Sequence, residues 1–524
     1  MMSQTPSICL SRRQVLGALV TGVGYSLVPA AFMSPIAGYA SINSDDGLPR
    51  ISPGEAGVDP RAVLDFIDRV FAGDLQLHSF MLYRGGHVVA EGWSWPYQNH
   101  RPHMMHSLTK SVTACGVGIA IDEGHFSLDD KVISFFPDEL PAEINENLEA
   151  MAVRDLLTMQ SGHAESVSGS VFRQVNTSWV AEFFKIPVVY KPGSHFVYSS
   201  ALSFMLSAIV TATTGESLRQ FMEPRVFQPL GIKELTWGAS PNGINPGGNG
   251  LSWTTADALK LGILHLNRGV WKGQQIVPRN WVDESTRLHV PGEEYGYHWW
   301  REDSVNAYYA EGAFGQFSIV FPDQDAVLAL TAGVQDEPLL DMVWQYFPAA
   351  FDGSAAKRNS ASSSELRMRT ENLRLLPEVY RTRSPTAQRI SGKTYRVEDN
   401  EDSVTAVRLT FGEDVLDFQL SDHRGTHHVM AGLGEWLESN TSMTGNKLHH
   451  QYQSDDMKVV ASARWWDEHT LEMTWQFVET AWMDTVVCRF PGDRISIDRR
   501  VNANYGPLFR PTLRGALVGG NDSA

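Results

Sequence analysis

Cysteine is scarce in this chain, with three residues in 524. Three thiols cannot build a disulfide scaffold, and Cys9, Cys115 and Cys488 lack the paired spacing of a zinc site. Cys115 and Cys488 read as buried thiols. Positive charge is also short. Lys and Arg number 43 against 60 Asp and Glu, a formal net charge of −17, so no nucleic-acid partner held through phosphates is expected. Past the first forty residues no apolar run approaches the ~18 residues of a membrane span, and none is expected in the mature protein. Several motifs are missing as well. Without Gly-x-Ser-x-Gly there is no α/β-hydrolase nucleophile elbow, and there is no His-Glu-x-x-His or phosphate-cradling glycine loop. His103 and His106 stand at i, i+3 without a third ligand, so they read as structural or surface histidines. Neither a metal nor a cofactor is expected.

What is present suits a large folded protein. Hydrophobic residues make up 43% and aromatic residues 10%, with 15 Trp, enough for buried cores. At ~150 residues per domain the chain holds about three domains or fewer. Residues 1–40 read as an export signal. Ser11-Arg12-Arg13-Gln14-Val15-Leu16 leads into a modest apolar run and Gly38-Tyr39-Ala40 supplies small residues, the pattern of a twin-arginine signal. Cys9 would leave with it. The mature protein is then expected to be exported, periplasmic or secreted.

Residues 41–352 alternate strand and helix patterns. Asp59-Pro60 marks a helix start, with Val63, Phe66, Ile67, Val70 and Phe71 on one face. Ser79–Leu82 and His87–Gly92 form a hairpin, and Asn306–Ala310, Gln316–Phe321 and Ala326–Thr331 are later strands. Between them fall helices at Ser107–Glu123, Arg154–Met159, Ala201–Thr214 and Ala256–Arg268, and Leu339–Phe351 follows. This is an α+β layer whose sheet is assembled from distant pieces. Residues 353–388, rich in Ser and Arg, read as a linker. Residues 389–524 alternate as a mostly antiparallel β domain, in which Trp465, Trp466, Trp475 and Trp482 are assigned to the core rather than to a binding face.

Ser107-Leu108-Thr109-Lys110 sets an alcohol and an amine three residues apart, at the start of a helix. That spacing puts Cβ atoms about 5–6 Å apart on one face, within reach of a Lys–Ser contact. A serine hydroxyl needs a base, and a lysine serves once burial depresses its pKa, which the apolar stretch Val112–Ile121 makes plausible. The helix start favours negative charge, and the Ser107 N–H is a candidate oxyanion donor. Ser354-Ala355-Ala356-Lys357 repeats the spacing in the linker, without a dry environment, and is set aside.

Around Ser107 the chain resembles the penicillin-recognising serine hydrolases: class C β-lactamases, D-alanyl-D-alanine carboxypeptidases, family VIII carboxylesterases and 6-aminohexanoate-oligomer hydrolases. The residues that carry this occur in the family's order: Ser107–Thr113, Leu128-Asp129-Asp130, Arg154–Gly162, Pro192-Gly193-Ser194, Tyr198-Ser199-Ser200, Gly250-Leu251-Ser252, Tyr295–Trp299 and Gly312–Gln316. The resemblance implies a β-lactamase/transpeptidase-like fold, an antiparallel sheet flanked by helices with a helical subdomain. It implies Ser107 as the acylated nucleophile, Lys110 as its proton partner and Tyr198 as second acid/base, a phenol that a neighbouring cation helps to ionise below its usual ~10. Tyr97-Gln98-Asn99 also matches Tyr-x-Asn but precedes the nucleophile and is a decoy. Two departures stand out. Ser200 replaces the Asn of the second motif, and Ala310-Glu311-Gly312 takes the place of Lys-Thr-Gly, so an alanine stands where a cation would meet a substrate carboxylate. The N–H of Ala313 would then complete the oxyanion hole, with Ser200, Glu311 and Gly312 in the pocket. His423-Arg424-Gly425 matches His-x-Gly in the wrong domain. These departures favour a small-molecule ester, or a different amide, as substrate. A carboxylesterase comes first, a β-lactamase, D-Ala-D-Ala carboxypeptidase or D-aminopeptidase second, and a catalytically silent ligand sensor third. The C-terminal domain more loosely resembles a lipocalin-like β-barrel.

Overall fold

The computed structural model describes residues 46–167, 172, 174–352, 360–443, 449 and 456–519. The signal read over residues 1–40 and the second Ser-x-x-Lys at Ser354 lie outside them. Asp59 caps the first helix as its sequence predicts. Its carboxylate accepts the Arg61 N–H at 2.9 Å, Pro60 holds the first position, and the helix runs over Pro60–Ala72. Val63, Phe66, Ile67 and Val70 on that helix are buried with Phe80, Leu82, Ile319 and Leu328 of the main sheet.

That sheet has six antiparallel strands in the order His87–Trp93, Leu77–Arg84, Ala326–Ala332, Gln316–Phe321, Ala307–Gly312, Trp300–Glu302. Its centre joins the chain's early hairpin to its late one, with Leu82 opposite Leu328 and Leu328 opposite Ile319. Alternate residues face opposite cores: Phe80 and Leu82 look to the first helix, Met81 and Tyr83 to the helical lobe. Gln316–Phe321 and Ala326–Ala332 are therefore buried at every position, which explains why neither carries a charged residue. Thr255–Leu266, capped by a reciprocal Thr254–Asp257 pair, covers the inner face. Beyond it lie the helices Thr109–Asp122, Val153–Leu157, Trp179–Phe184 and Ser200–Thr214. Among the described residues no single helix is long and apolar enough to cross a membrane.

The stretch read as a linker is more ordered than its composition predicts. A helix spans Ser360–Glu371. Leu366 and Leu373 are buried, and a Cβ on Gly92 would stand 2.7 Å from Leu373 Cδ1. A few leucines suffice because they cover an edge of the main sheet, so no amphipathic period is needed to hold the segment.

The last third of the chain closes into a barrel. Nine strands complete the ring: Thr394–Val397, Ala406–Phe411, Val415–Asp422, Gly425–Leu433, Met457–Trp465, Thr470–Phe477, Met483–Arg489, Arg494–Val501 and Phe509–Leu517. The first pairs with the last through Tyr395 and Leu517, and a short parallel pairing of Gly432 with Ser462 seals the ring. Leu437–Thr441 adds to the outside of Met457–Trp465. Trp465, Trp475 and Trp482 are buried as expected, but Trp466 is 59% exposed under the Arg464 guanidinium. The alternation that sends Trp465 inward sends its neighbour out.

Polar contacts lock the barrel to the sheet. The Tyr97 hydroxyl donates to the Thr480 carbonyl at 2.8 Å and accepts from Gln476 Nε2 at 2.7 Å, so the out-of-order Tyr-x-Asn is a docking residue. The Met104 N–H donates to the Glu479 carbonyl at 2.8 Å. Asn502 Nδ2 donates to the Gly333 carbonyl at 2.7 Å and to Gln76 Oε1 at 2.9 Å. Gly333 leaves no room for a side chain, since a Cβ there would stand 2.3 Å from the Ala481 carbonyl oxygen. Gly333→Val is expected to cost about 1–3 kcal/mol through overpacking, read as a lowered thermal midpoint.

Candidate active site

His106 adopts φ +46°, a strained value for a side-chain-bearing residue, and opens a 3-10 turn over His106–Leu108 that continues as the helix Thr109–Asp122. The α-helix thus begins two residues later than the sequence predicts. The pairing survives because side chains three apart eclipse in a 3-10 turn. Lys110 Nζ lies 2.9 Å from Ser107 Oγ. Ser107 is partly exposed, while Lys110 is 1% exposed.

Two more oxygens hold the amine: the Gly248 carbonyl at 2.9 Å and Ser200 Oγ at 3.2 Å. The serine that replaces the expected Asn therefore contacts the lysine directly. Burial lowers the Lys110 pKa from its ordinary 10.5 to about 7, opposed only in part by the Glu311 carboxylate. Near neutrality much of it is a free amine able to take a proton. The ring of Tyr198 packs beside it, its centroid 4.6 Å from Nζ, and rests on Trp300 at 5.5 Å. His298 stands behind, bonded to Ser203 Oγ at 3.0 Å, and burial together with the Lys110 charge holds its pKa down at about 3. That imidazole stays neutral and adds no second cation.

Ala310-Glu311-Gly312 ends the strand Ala307–Gly312, which runs directly beside the nucleophile turn. A Cβ on Gly312 would stand 2.0 Å from the Met105 carbonyl oxygen and 3.1 Å from the Leu108 nitrogen. Only glycine permits this approach. Ala313 follows, its carbonyl accepting from Gln316 Nε2 at 3.1 Å, and Phe314 turns the chain at φ +70°. Ser107, Tyr198, Ser200 and Ala313 all face one cavity of about 680 Å³. Of the residues singled out from sequence, these four share the cavity, Lys110 lies beneath Ser107, Glu311 acts on Lys110 through its charge, and Gly312 sets the spacing. Gly312→Val is expected to abolish turnover and lower the thermal midpoint together, the first read by ester hydrolysis and the second by calorimetry.

Four participants were not anticipated. Gly248 and His298 touch or face Lys110, while Trp482 and Tyr505 of the barrel line the cavity. The glycines of Pro246–Gly250 carried a signal: a Cβ on Gly247 would meet the Ser203 carbonyl oxygen at 2.2 Å. Clustered glycines mark such close backbone approach. The two histidines noted from sequence diverge, His103 Nε2 meeting His78 Nδ1 at 3.0 Å while His106 lines the cavity. Cys115 is buried with its thiol pushed up to about 12, far from a nucleophile's range.

Comparison with known proteins gives the family. The family profile "Beta-lactamase" matches residues 69–343. A protein of Salmonella agona (strain SL483) named "Putative D-alanyl-D-alanine carboxypeptidase" is 25% identical over 133 residues, 24% of this chain and 31% of that protein. The match thus spans about a third of the curated relative. Two solved structures are similar to parts of this chain at a TM-score of 0.48 each. One is a "Putative 6-aminohexanoate-dimer hydrolase from Bacillus anthracis", 18% identical, covering 54% of this chain and 81% of its own. The other is a penicillin-binding protein homolog from Caulobacter crescentus, 16% identical, covering 58% and 98%.

Proposed function

The chain belongs to the beta-lactamase family of serine hydrolases, and on that premise we propose that it is an exported carboxylesterase acting through a Ser107 acyl-enzyme. The observation that carries this reading is the 2.9 Å approach of a buried, weakly basic Lys110 amine to a solvent-reachable Ser107 hydroxyl. Lys110 Nζ takes the Ser107 proton as Oγ bonds to the substrate carbonyl carbon. The carbonyl oxygen gathers negative charge beside the Ser107 and Ala313 N–H groups. The C–O bond to the leaving alcohol breaks, and Tyr198 relays a proton to it. Water then adds to the acyl carbon, gives its proton back along the same path, and the Ser107–acyl bond breaks to release the acid.

Two features favour an ester over a β-lactam or a D-Ala-D-Ala terminus. Ala310 occupies the place of a carboxylate-binding cation, and Ser200, standing in place of a substrate-binding amide, accepts a hydrogen bond from Lys110 Nζ. Paired assays test the ordering. Turnover of a p-nitrophenyl acyl ester is expected to exceed that of a chromogenic cephalosporin by at least about a hundredfold in kcat/KM, a gap of ~2.7 kcal/mol in transition-state binding. Cephalosporin turnover with negligible ester cleavage would reverse it. A folded protein whose Ser107 resists a fluorophosphonate would point to a ligand sensor. Export rests on Arg12-Arg13, and changing both to Lys is expected to keep the protein out of the periplasmic fraction.

A further inference from the structure

The cavity above Ser107 is shared between the hydrolase part and the barrel. Trp482, fully buried, stacks on His449 at 4.9 Å with the rings 3° apart, and His449 Nε2 lies 2.6 Å from Asp484 Oδ1. The other side of the indole meets His106 edge-on at 5.6 Å and Phe314 at 6.3 Å. Phe314 in turn carries the ring of Tyr505 at 5.0 Å, and Tyr505 is 61% exposed at the mouth. His106 immediately precedes the nucleophile, and Phe314 immediately follows Ala313. An aromatic chain therefore runs from the barrel interior to the two residues that flank Ser107 and Ala313.

The loops carrying Trp482 and Tyr505 are fixed in place. Trp482 follows a turn at Thr480 that is tied to Tyr97, and its own N–H donates to Thr480 Oγ1 at 3.1 Å. The Tyr505 loop is anchored three residues earlier by Asn502, whose amide donates to Gly333 and Gln76, and Gln335 Nε2 donates to the Asn504 carbonyl at 2.9 Å. The remaining lining includes Val175, Trp179, Pro241 and Pro246, so flat and apolar surfaces predominate beyond the polar groups around Ser107. A barrel docked for stability alone gains nothing from a tyrosine held at the mouth of the cavity with more than half its surface in water.

We propose that the barrel completes the substrate pocket, and that Tyr505, braced through Phe314 and the buried Trp482, selects esters whose acyl group is aromatic or arylalkyl. Such a group stacks on the exposed Tyr505 ring at the mouth, which a short aliphatic acyl chain does not reach. The proposal rests on Ser107 as the attacking group, because it concerns what lies over that atom. Asn502 is a positioning residue, acting through the Tyr505 loop.

The full-length protein, assayed with p-nitrophenyl phenylacetate and p-nitrophenyl acetate, tests it. Wild type is expected to favour the phenylacetate by tenfold or more in kcat/KM. Tyr505→Ala is expected to remove most of that preference, largely through a raised KM for the phenylacetate, so that the ratio of the two kcat/KM values falls towards one. Asn502→Ala is expected to move the preference in the same direction. Trp482→Ala removes a core indole and risks the fold, whereas the exposed Tyr505 does not, and melting curves report which variants remain folded. Equal losses on both esters, or an unchanged ratio, would overturn the proposal while leaving the esterase reading intact. Labelling rates give the same comparison without turnover: Tyr505→Ala should erase the preference for an aryl-bearing over an ethyl fluorophosphonate, and a retained preference refutes the proposal. If wild type neither cleaves either ester nor labels at Ser107, the esterase reading itself falls, and this proposal with it.

Discussion

Replacing Ser107 with Ala is expected to lower ester kcat/KM by on the order of 10⁴-fold or more and to eliminate labelling by a fluorophosphonate. The magnitude follows from the site's arrangement. The proposed nucleophile and base meet at 2.9 Å at the wall of the cavity. Ser200 also touches Lys110, at 3.2 Å, so it is the natural substitute. Ser107→Ala/Ser200→Ala against Ser107→Ala alone decides whether any residual rate comes from there. Ser354→Ala, at the second match to the spacing, is expected to change nothing. Substantial activity or labelling in Ser107→Ala would remove the proposed mechanism altogether.

The second large effect concerns pH. With the Lys110 pKa lowered to about 7 by burial, the working form is the neutral amine, and kcat/KM is expected to rise with pH through a midpoint near 7 and then level. Lys110→Arg keeps the positive charge at every accessible pH and cannot accept the proton, so a loss of about 10³-fold or more without that rising limb is expected. Stability has a linked signature. Between about pH 7 and 10.5 the unfolded chain binds a proton at this site that the folded protein does not, so folding stability gains as pH rises through that window and flattens below it. Measured against Lys110→Met by chemical denaturation, wild type should therefore gain relative stability from pH 7 towards pH 10. A pH-independent difference would place the Lys110 pKa near its ordinary value and remove it as the base.

Much of the family domain was legible because its signals are local in sequence. The Ser107–Lys110 spacing, the Asp59-Pro60 helix start and the glycine after Thr214 each encode their own geometry within a few residues. The helix Ser360–Glu371 escaped because its stability comes from an edge strand hundreds of positions earlier, and its composition alone reads as a tether. In the barrel, Phe509–Leu517 carries a weak strand signal, because Pro511 interrupts it and its buried positions hold only Leu513 and Gly515. Trp482 was rightly seen as buried, but burial did not disclose which cavity its edge would reach. That depends on how Gly333 and Asn502 let two separate layers meet, information spread over distant residues.

The pairing of Leu77–Arg84 with Ala326–Ala332 bears on how the protein is made. Ser79 and Thr331, hydrogen-bonded at 2.6 Å, stand 252 positions apart, and the barrel's first strand needs Leu517 to close its ring. During translation the early hairpin must wait for the later one before the central sheet can form, a slow, non-local event. A nascent polypeptide released early would carry Ser107 and Lys110 without the layer that buries the amine. A fragment that stops before the later hairpin lacks Gly312, whose close approach to the Met105 carbonyl sets the wall beside Ser107.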